Sequence, residues 1–124
     1  MPTDMQSTAR VLVTGGAGYI GTHTCIQLLS AGYQLLVLDN FSNSSPEALH
    51  RVQAITGIEV PGIEGDINDA ALLDRLFEQH AIDAVIHFAG LKAVGESVAQ
   101  PLRYYHNNVS GTVTLCQAMQ RAGV

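Results

Sequence analysis

The stretch Thr14-Gly15-Gly16-Ala17-Gly18-Tyr19-Ile20-Gly21 decides the expected fold of this chain. It follows the short apolar run Val11-Leu12-Val13 and precedes a segment whose apolar residues recur with helical spacing. The stretch satisfies both G-x-G-x-x-G and G-x-x-G-x-x-G. Between a strand and a helix, such glycines permit a tight turn and a close approach of the backbone to a pyrophosphate. We therefore expect a dinucleotide site in which the amides of Tyr19 and Ile20 face the phosphates at a helix N-terminus, with a plain glycine turn as the alternative.

Strand-like and helix-like segments alternate along the rest of the chain. Apolar runs predict further strands at residues 35–38, 58–64 and 84–88, and Pro61 assigns the second of these to a sheet edge. Helical spacing predicts helices from 19 to 31, from Ser45 to about Gly57, from Asn68 or Asp69 to about 77, and over 102–122, after a loop rich in small residues. On the second helix, Leu49, Val52 and Ile55 form the expected apolar face. The alternation predicts an α/β, doubly wound parallel sheet that is truncated after its fourth strand and helix.

Composition excludes several classes of function. The chain has 124 residues, a formal charge of −5, 47% apolar residues and 14% charged residues, which indicate one domain with a buried parallel sheet. Its six basic residues are scattered, so we expect no nucleic-acid partner. We also expect no membrane span and no secretory signal. Cys25 and Cys116 are predicted to be free thiols in an intracellular, reducing compartment.

Two acidic residues end predicted strands, where ligands bind in such sheets. Asp39 follows Gly21 by eighteen residues, as expected of a carboxylate that receives the adenosine ribose hydroxyls and disfavours a 2′-phosphate. A solvated residue at a strand end is the alternative for Asp39. Asp66 could accept from an adenine amino group while Ile67 packs on the ring, or Asp66 could cap the next helix.

Three further residues favour structural interpretations. His87 lies in an apolar strand, and a hydrogen-bonded core histidine is a better interpretation than a ligand or a base. Tyr104 and Tyr105 precede the last helix, where they are expected to pack or cap. The histidines show no metal-ligand spacing, so no metal site is predicted.

The segment Phe88-Ala89-Gly90-Leu91-Lys92-Ala93-Val94-Gly95-Glu96-Ser97 adds a resemblance to a known family. Together with Tyr104-Tyr105-His106-Asn107-Asn108-Val109 and the glycine stretch, it resembles the UDP-glucose 4-epimerase family, a galactose-pathway branch of the extended short-chain dehydrogenases/reductases. The resemblance covers residues 10 to 124 and leaves 1–9 as a flexible extension. It implies an incomplete Rossmann-type NAD-binding domain, a cytoplasmic isomerase that acts on UDP-glucose and UDP-galactose, and a homodimer at full length.

The resemblance also implies where NAD is held. Tyr19 and Ile20 would bind the pyrophosphate, residues 39–44 the adenosine ribose, Asp66 and Ile67 the adenine, and residues 88–92 and Asn107 the rest of the cofactor. The candidate cofactor-binding residues are Gly15, Gly18, Tyr19, Ile20, Gly21, Asp39, Asn40, Phe41, Ser42, Asn43, Ser44, Asp66, Ile67, Phe88, Ala89, Gly90, Leu91, Lys92 and Asn107.

No catalytic residue is assigned. The family's base is a Tyr with a Lys four residues later, whereas the one lysine here, Lys92, has Phe88 four residues before it. We therefore expect the 124-residue chain to be inactive alone. Two alternatives remain open: a nucleotide-sugar dehydratase or decarboxylase of the same extended family, and a dinucleotide-binding module without chemistry.

Overall fold

The computed structural model describes residues 9–41, 44–90 and 94–124, apart from the side chain of Val94. Within these ranges strands and helices alternate as the sequence predicts. The strands are β1 (Arg10–Thr14), β2 (Gln34–Asp39), β3 (Gly62–Glu64) and β4 (Ala84–His87). The helices are α1 (Tyr19–Ser30), α2 (Glu47–Thr56), α3 (Ala70–Gln79), α4 (Val94–Ala99), α5 (Pro101–Tyr104), a π-helical segment (Tyr105–Ser110) and α6 (Gly111–Ala122).

The strands form one parallel sheet in the order β3-β2-β1-β4. In the sheet register, Leu12 of β1 lies between Leu36 of β2 and Val85 of β4. The chain builds outward from β1 to β3 and then returns to the other side of β1. This return creates a topological switch point between β1 and β4, where ligands bind in sheets of this class. The predicted α/β doubly wound fold is confirmed.

Two apolar clusters cover the two faces of the sheet. Successive side chains of a strand point to opposite faces, so Val11 and Val13 belong to one cluster and Leu12 to the other. The first cluster includes residues of α1 and α2, and the second includes residues of α3 and α6. The sheet is therefore sandwiched between helices, and its strand ends remain open for a site.

Local signals set several helix ends as expected. Asp69 caps α3 by accepting a hydrogen bond from the Leu72 amide at 3.1 Å, so Asp69 rather than Asn68 is the cap. Gly57 ends α2 with a φ of 75°, a left-handed conformation that glycine adopts without a steric penalty. Residue type thus determined these boundaries directly.

Three burial and boundary predictions are wrong. Strand β3 spans only Gly62–Glu64, because Pro61 lacks the amide that would extend the ladder. Ile55 is 68% exposed, since α2 rests on the sheet through Leu49 and Val52 and turns Ile55 toward solvent. Strand β4 ends at His87, one residue before the predicted end, and its residues are half-buried or exposed, because β4 is the second sheet edge, as expected of a sheet truncated after its fourth strand.

The last helical region also differs from the prediction. The expected loop contains α4, and the expected continuous helix 102–122 begins one residue earlier and changes to π-helical geometry at Tyr105. The Gly111 amide donates to the His106 carbonyl five residues back, as π geometry requires. Gly111 itself is buried against Ile67, where a Cβ would lie 2.5 Å from the isoleucine Cδ1. The change to π-helical geometry accompanies the close contact between Gly111 and Ile67. The spacing of apolar residues in the sequence does not predict such a contact.

Apolar side chains on the last helical segments reach the surface. Leu102 is 81% exposed, Tyr105 67%, Val109 52% and Val113 50%. Among the described residues, no helix combines the length and the apolar character needed to cross a membrane.

Candidate functional site

A cleft of about 460 Å³ opens at the carboxyl ends of the strands, at the switch point between β1 and β4. Its volume lies within the range of small-molecule sites. The predicted residues that line it are Gly15, Gly18, Tyr19, Ile20, Gly21, Asp39, Asn40, Ser44, Asp66, Ile67, Phe88, Ala89, Gly90 and Asn107. Tertiary structure thus gathers residues from separate parts of the sequence into one cavity.

The glycine loop between β1 and α1 forms one wall of the cleft. Gly15 has a φ of +68°, and a Cβ there would lie 2.8 Å from the Ala89 amide nitrogen. A Cβ on Gly21 would lie 2.4 Å from the Gly15 carbonyl oxygen. Both positions therefore require glycine because of contacts within the protein itself.

Gly18 is glycine for a different reason. Its φ of −75° and ψ of 177° are open to any residue. A Cβ there would meet the Gly15 carbonyl oxygen at 3.4 Å, an ordinary van der Waals distance. Neither the backbone nor the packing of the protein requires glycine at this position. Gly18 lines the cleft, where the missing side chain leaves space for a ligand to approach the backbone.

The N-terminus of α1 borders the cleft beside Gly18. The first amides of a helix have no partner within it, and the helix dipole favours negative charge there. The first turn of α1 carries no acidic residue, and no side chain caps it. Tyr19 and Ile20, the first two residues of the helix, line the cleft and are 81% and 54% exposed. This arrangement can bind an anionic group.

Asp39, at the end of β2, is buried to 8% exposure and stabilises the floor of the cleft. Its Oδ2 accepts from the Ala17 amide at 3.1 Å. Its Oδ1 accepts from the Phe41 amide at 2.8 Å and from the Ser44 hydroxyl at 3.2 Å. The carboxylate therefore joins the glycine loop to the loop after β2, which a freely solvated residue would not do.

Phe41 is the described candidate that does not line the cleft. Its backbone has a φ of 57°, which is uncommon for a residue other than glycine, and its side chain packs against the first apolar cluster. Ser42, Asn43, Leu91 and Lys92 lie outside the described residues, so the structure does not locate these four candidates.

Asp66 and Ile67 line the cleft after β3. Asp66 Oδ1 accepts from the Asn68 amide at 2.9 Å, and the carboxylate is exposed. Because Asp69 caps α3, the helix-cap alternative for Asp66 does not hold. Ile67 is buried to 4% exposure and belongs to the second cluster.

Residues after β4 and the π-helical segment form the opposite wall. Phe88, Ala89 and Gly90 line the cleft directly after the strand. Asn107 reaches it from the π-helical segment, and its Nδ2 donates to Asn108 Oδ1 at 2.9 Å.

Leu38, Gly65 and Glu96 line the cleft but were not predicted. The first two adjoin predicted residues at strand ends, so position along the strand could have identified them. Glu96 lies on α4, within the region predicted as a loop. Its Oε1 accepts from Arg103 Nη1 at 2.8 Å and from the Tyr104 hydroxyl at 3.0 Å. The sequence offered no signal for this approach.

His87 is hydrogen-bonded at both ring nitrogens, as predicted for a core histidine. Nδ1 lies 2.6 Å from Thr14 Oγ1, and Nε2 lies 3.0 Å from Thr112 Oγ1. Burial lowers the pKa of His87 from its ordinary value of 6.5. Within the described ranges, no group of three or more His, Cys, Asp and Glu side chains could hold a metal ion.

Comparison with known proteins relates this geometry to a family. Residues 11–124 match the NAD dependent epimerase/dehydratase family. The chain is 61% identical over 114 residues to a UDP-glucose 4-epimerase of Bacillus subtilis (strain 168), covering 92% of this chain and 34% of the relative. A UDP-glucose 4-epimerase of Klebsiella pneumoniae is 56% identical over 115 residues, which are 93% of this chain and 83% of that protein. The chain thus spans about a third of the length of the Bacillus relative.

A solved structure agrees with the sequence comparison. The UDP-glucose 4-epimerase of Bifidobacterium longum, in complex with NAD+ and UDP, has a TM-score of 0.91 and 55% sequence identity. The match covers 94% of this chain and 35% of that one. With the family match over residues 11–124, these findings establish that the chain belongs to the NAD dependent epimerase/dehydratase family.

Proposed function

We propose that this chain is the NAD-binding part of a UDP-glucose 4-epimerase, an isomerase that interconverts UDP-glucose and UDP-galactose in galactose metabolism. The observation that carries the cofactor assignment is Gly18, whose missing side chain serves neither the backbone nor the packing. It stands at the helix N-terminus in a cleft that also contains a carboxylate at the end of β2. The relatives named above support the assignment of the sugar substrate.

Each wall of the cleft has a proposed part in holding NAD, which supplies the hydride acceptor for the sugar C4 position. The amides of Tyr19 and Ile20 bind the pyrophosphate, and residues 39–44 border the adenosine ribose. Asp66 accepts from the adenine amino group, and Ile67 packs against the ring. Residues 88–92 and Asn107 hold the remainder of the cofactor and exclude water from it.

Asp39 explains a preference for NAD over NADP. Each carboxylate oxygen has about two lone-pair sites, so the Ala17 contact does not saturate Oδ2. Oδ2 can thus accept from a ribose hydroxyl, whereas a 2′-phosphate in the same place would be repelled.

The test uses the natural protein that contains this sequence. Denaturing it should release NAD and not NADP. Asp39→Ala should weaken NAD retention by about 1.5–3 kcal/mol, because charge-assisted hydrogen bonds are lost. Asp69→Ala, which removes the α3 cap outside the cleft, is the control and should leave retention unchanged. Bound NADP, or equal retention in both variants, would contradict the assignment.

The catalytic base is proposed to lie outside these 124 residues. None of the tyrosines is followed by a lysine at the fourth position, and Lys92 is the only lysine. Residues 10–124 are accordingly proposed to be an incomplete nucleotide-binding domain that depends on further chain for proton transfer and sugar binding.

The exposed apolar residues of the last helical segments support the proposal of a homodimer at full length. Leu102, Tyr105, Val109 and Val113 recur at intervals of three or four residues, which places side chains on one side of a helix. A second copy would bury them. Leu102→Glu in the natural protein should shift sedimentation toward the monomer, while Ala71→Glu, which adds the same charge at an exposed position on α3, should not.

A cytoplasmic location is proposed for the same protein. Cys25 is buried and Cys116 exposed, and both are free thiols. Free thiols suit a reducing compartment.

A further inference from the structure

A chain of hydrogen bonds passes through His87 and connects elements on both sides of the cleft. The Ala89 amide donates to Thr14 Oγ1 at 3.3 Å, and Thr14 Oγ1 lies 2.6 Å from His87 Nδ1. On the other side of the ring, Nε2 lies 3.0 Å from Thr112 Oγ1. The Thr112 hydroxyl in turn lies 2.7 Å from the Asn108 carbonyl oxygen.

The number of protons available determines which group donates and which accepts at each step of this hydrogen-bond chain. A carbonyl oxygen only accepts, so Thr112 uses its single hydroxyl proton on Asn108. Thr112 must then accept from His87 Nε2, which therefore carries a proton. In a neutral ring Nδ1 is then the acceptor, and it receives the Thr14 hydroxyl proton. The Nε2–H tautomer satisfies all four contacts at once, whereas the Nδ1–H tautomer would set two lone pairs against each other at Thr112.

The hydrogen-bond chain through His87 reaches both walls of the cleft. Thr14 is fully buried and directly precedes the glycine loop, and Ala89 lines the cleft after β4. Asn108 belongs to the π-helical segment, and its side chain accepts from the cleft residue Asn107. The ring of His87 thus connects β1, β4 and the π-helical segment behind the cavity, without lining it.

We propose that His87, held as the neutral Nε2–H tautomer, is a positioning residue that sets the Ala89 and Asn107 walls of the cleft against the glycine loop. The effect of His87 on cofactor binding rests on the proposed function, whereas the tautomer of its ring does not. The experiments below test these two claims separately.

The first experiment measures the tautomer by nitrogen NMR of histidine-labelled natural protein near neutral pH. The signal of His87 is assigned as the one that His87→Gln removes. We expect a protonated Nε2 and an unprotonated Nδ1 in protein prepared without added cofactor. An Nδ1–H tautomer or an imidazolium would overturn the proposal whether or not the protein binds NAD.

The second experiment compares two threonines of α6. Thr112 and Thr114 both donate to a carbonyl four residues back, at 2.7 and 2.9 Å, but Thr112 also contacts His87. Thr112→Val should raise the dissociation constant of NADH, followed by its fluorescence, about three- to tenfold. Thr114→Val should leave it unchanged, although it loses an equivalent hydroxyl bond to the helix backbone.

The outcomes distinguish the two proposals. Equal NADH affinity in the two threonine variants and the parent would overturn the positioning role. Failure of the parent to bind NADH would instead contradict the proposed function, and the tautomer measurement would then decide the His87 assignment alone.

Discussion

The two walls of the cleft are built differently. On the β1–β2 side, Leu12, Val13 and Val37 are buried to 0% exposure or close to it, and Asp39 holds the loops together. On the β4 side, the strand is half-exposed at a sheet edge, and the helical segments that follow present apolar residues to solvent. The first wall follows two interior strands with fully buried side chains, whereas the second follows an edge strand and helical segments with exposed apolar residues.

The two sheet edges show the same contrast. Strand β3 has three residues and is preceded by Pro61, features that limit edge-to-edge pairing. Strand β4 carries Val85 and Ile86, which suit an interior position, yet it is the other edge. A strand composed for the interior but placed at an edge favours association.

The largest expected effect concerns catalysis, which depends on what lies beyond the β4 side of the cleft. The 124-residue chain should show no epimerase turnover with UDP-galactose in a coupled assay, because it lacks a Tyr-Lys pair. Proton transfer alone contributes about 10²–10⁴-fold in rate. Its thermal melt should be broad or accompanied by aggregation. Measurable turnover, or a sharp melt from a soluble monomer, would show that the β4 wall needs nothing further.

On the β1–β2 side, substitutions at two glycines of the loop between β1 and α1 should have different effects on NAD binding and on stability. Gly18→Val should abolish NAD binding in the natural protein, because it adds a branched side chain where the backbone lines the cleft. The free energy of unfolding should change by less than about 1 kcal/mol, because a Cβ at Gly18 makes only an ordinary contact. Gly21→Val should cost about 3 kcal/mol or more, since its Cβ meets backbone. NAD content and urea unfolding measure both effects. An NAD content of Gly18→Val equal to the parent's would disprove the contrast.

A smaller effect should appear at the β4 edge of the sheet. Ala84→Lys, at an exposed position of β4, should lower the aggregated fraction of the 124-residue chain severalfold, on the order expected for a charged edge strand. Ala71→Lys, at an exposed position of α3, adds the same charge away from both sheet edges and should change the aggregated fraction little. Light scattering measures both variants. An equal decrease in the two would mean that an added lysine acts wherever it is placed, and would contradict a specific role of the β4 edge.

The smallest expected effect is the pH dependence that His87 contributes. Burial lowers its pKa from the ordinary value of 6.5, and its ring partners are the uncharged hydroxyls of Thr14 and Thr112. Below pH 6.5 the unfolded chain takes up this proton before the folded protein does. The His87 contribution to stability should therefore be complete above pH 6.5 and decline as pH falls toward the lowered pKa. Urea unfolding of the natural protein against pH should show this slope, and His87→Gln should remove it.

Much of the fold could be predicted because its signals are local. Strand β1 and the glycine loop follow from a short apolar run and from glycine spacing, and Asp69 and Gly57 end their helices through contacts with their own neighbours. The same locality identified Asp39 and Asp66, since parallel strands end at one edge of a sheet.

The remaining features depend on contacts between distant residues. Ile55 follows the helical period of α2 but is exposed, because the first apolar cluster includes Leu49 and Val52 and does not extend to Ile55. The π geometry accompanies the close contact of Gly111 with Ile67, and Glu96 enters the cleft on a helix whose small residues predicted a loop.

By itself, the sequence determined which segments become strands and helices, where the glycine loop lies and which acidic residues end the strands. Those properties depend on side-chain periodicity, backbone freedom and hydrogen bonds between near neighbours. Tertiary structure alone decided that β4 returns beside β1, that the two walls meet around one cleft, and that His87 joins Thr14 to Thr112. Such pairings satisfy buried polar groups across long separations in the chain, and only the packed sheet brings those groups within hydrogen-bond distance.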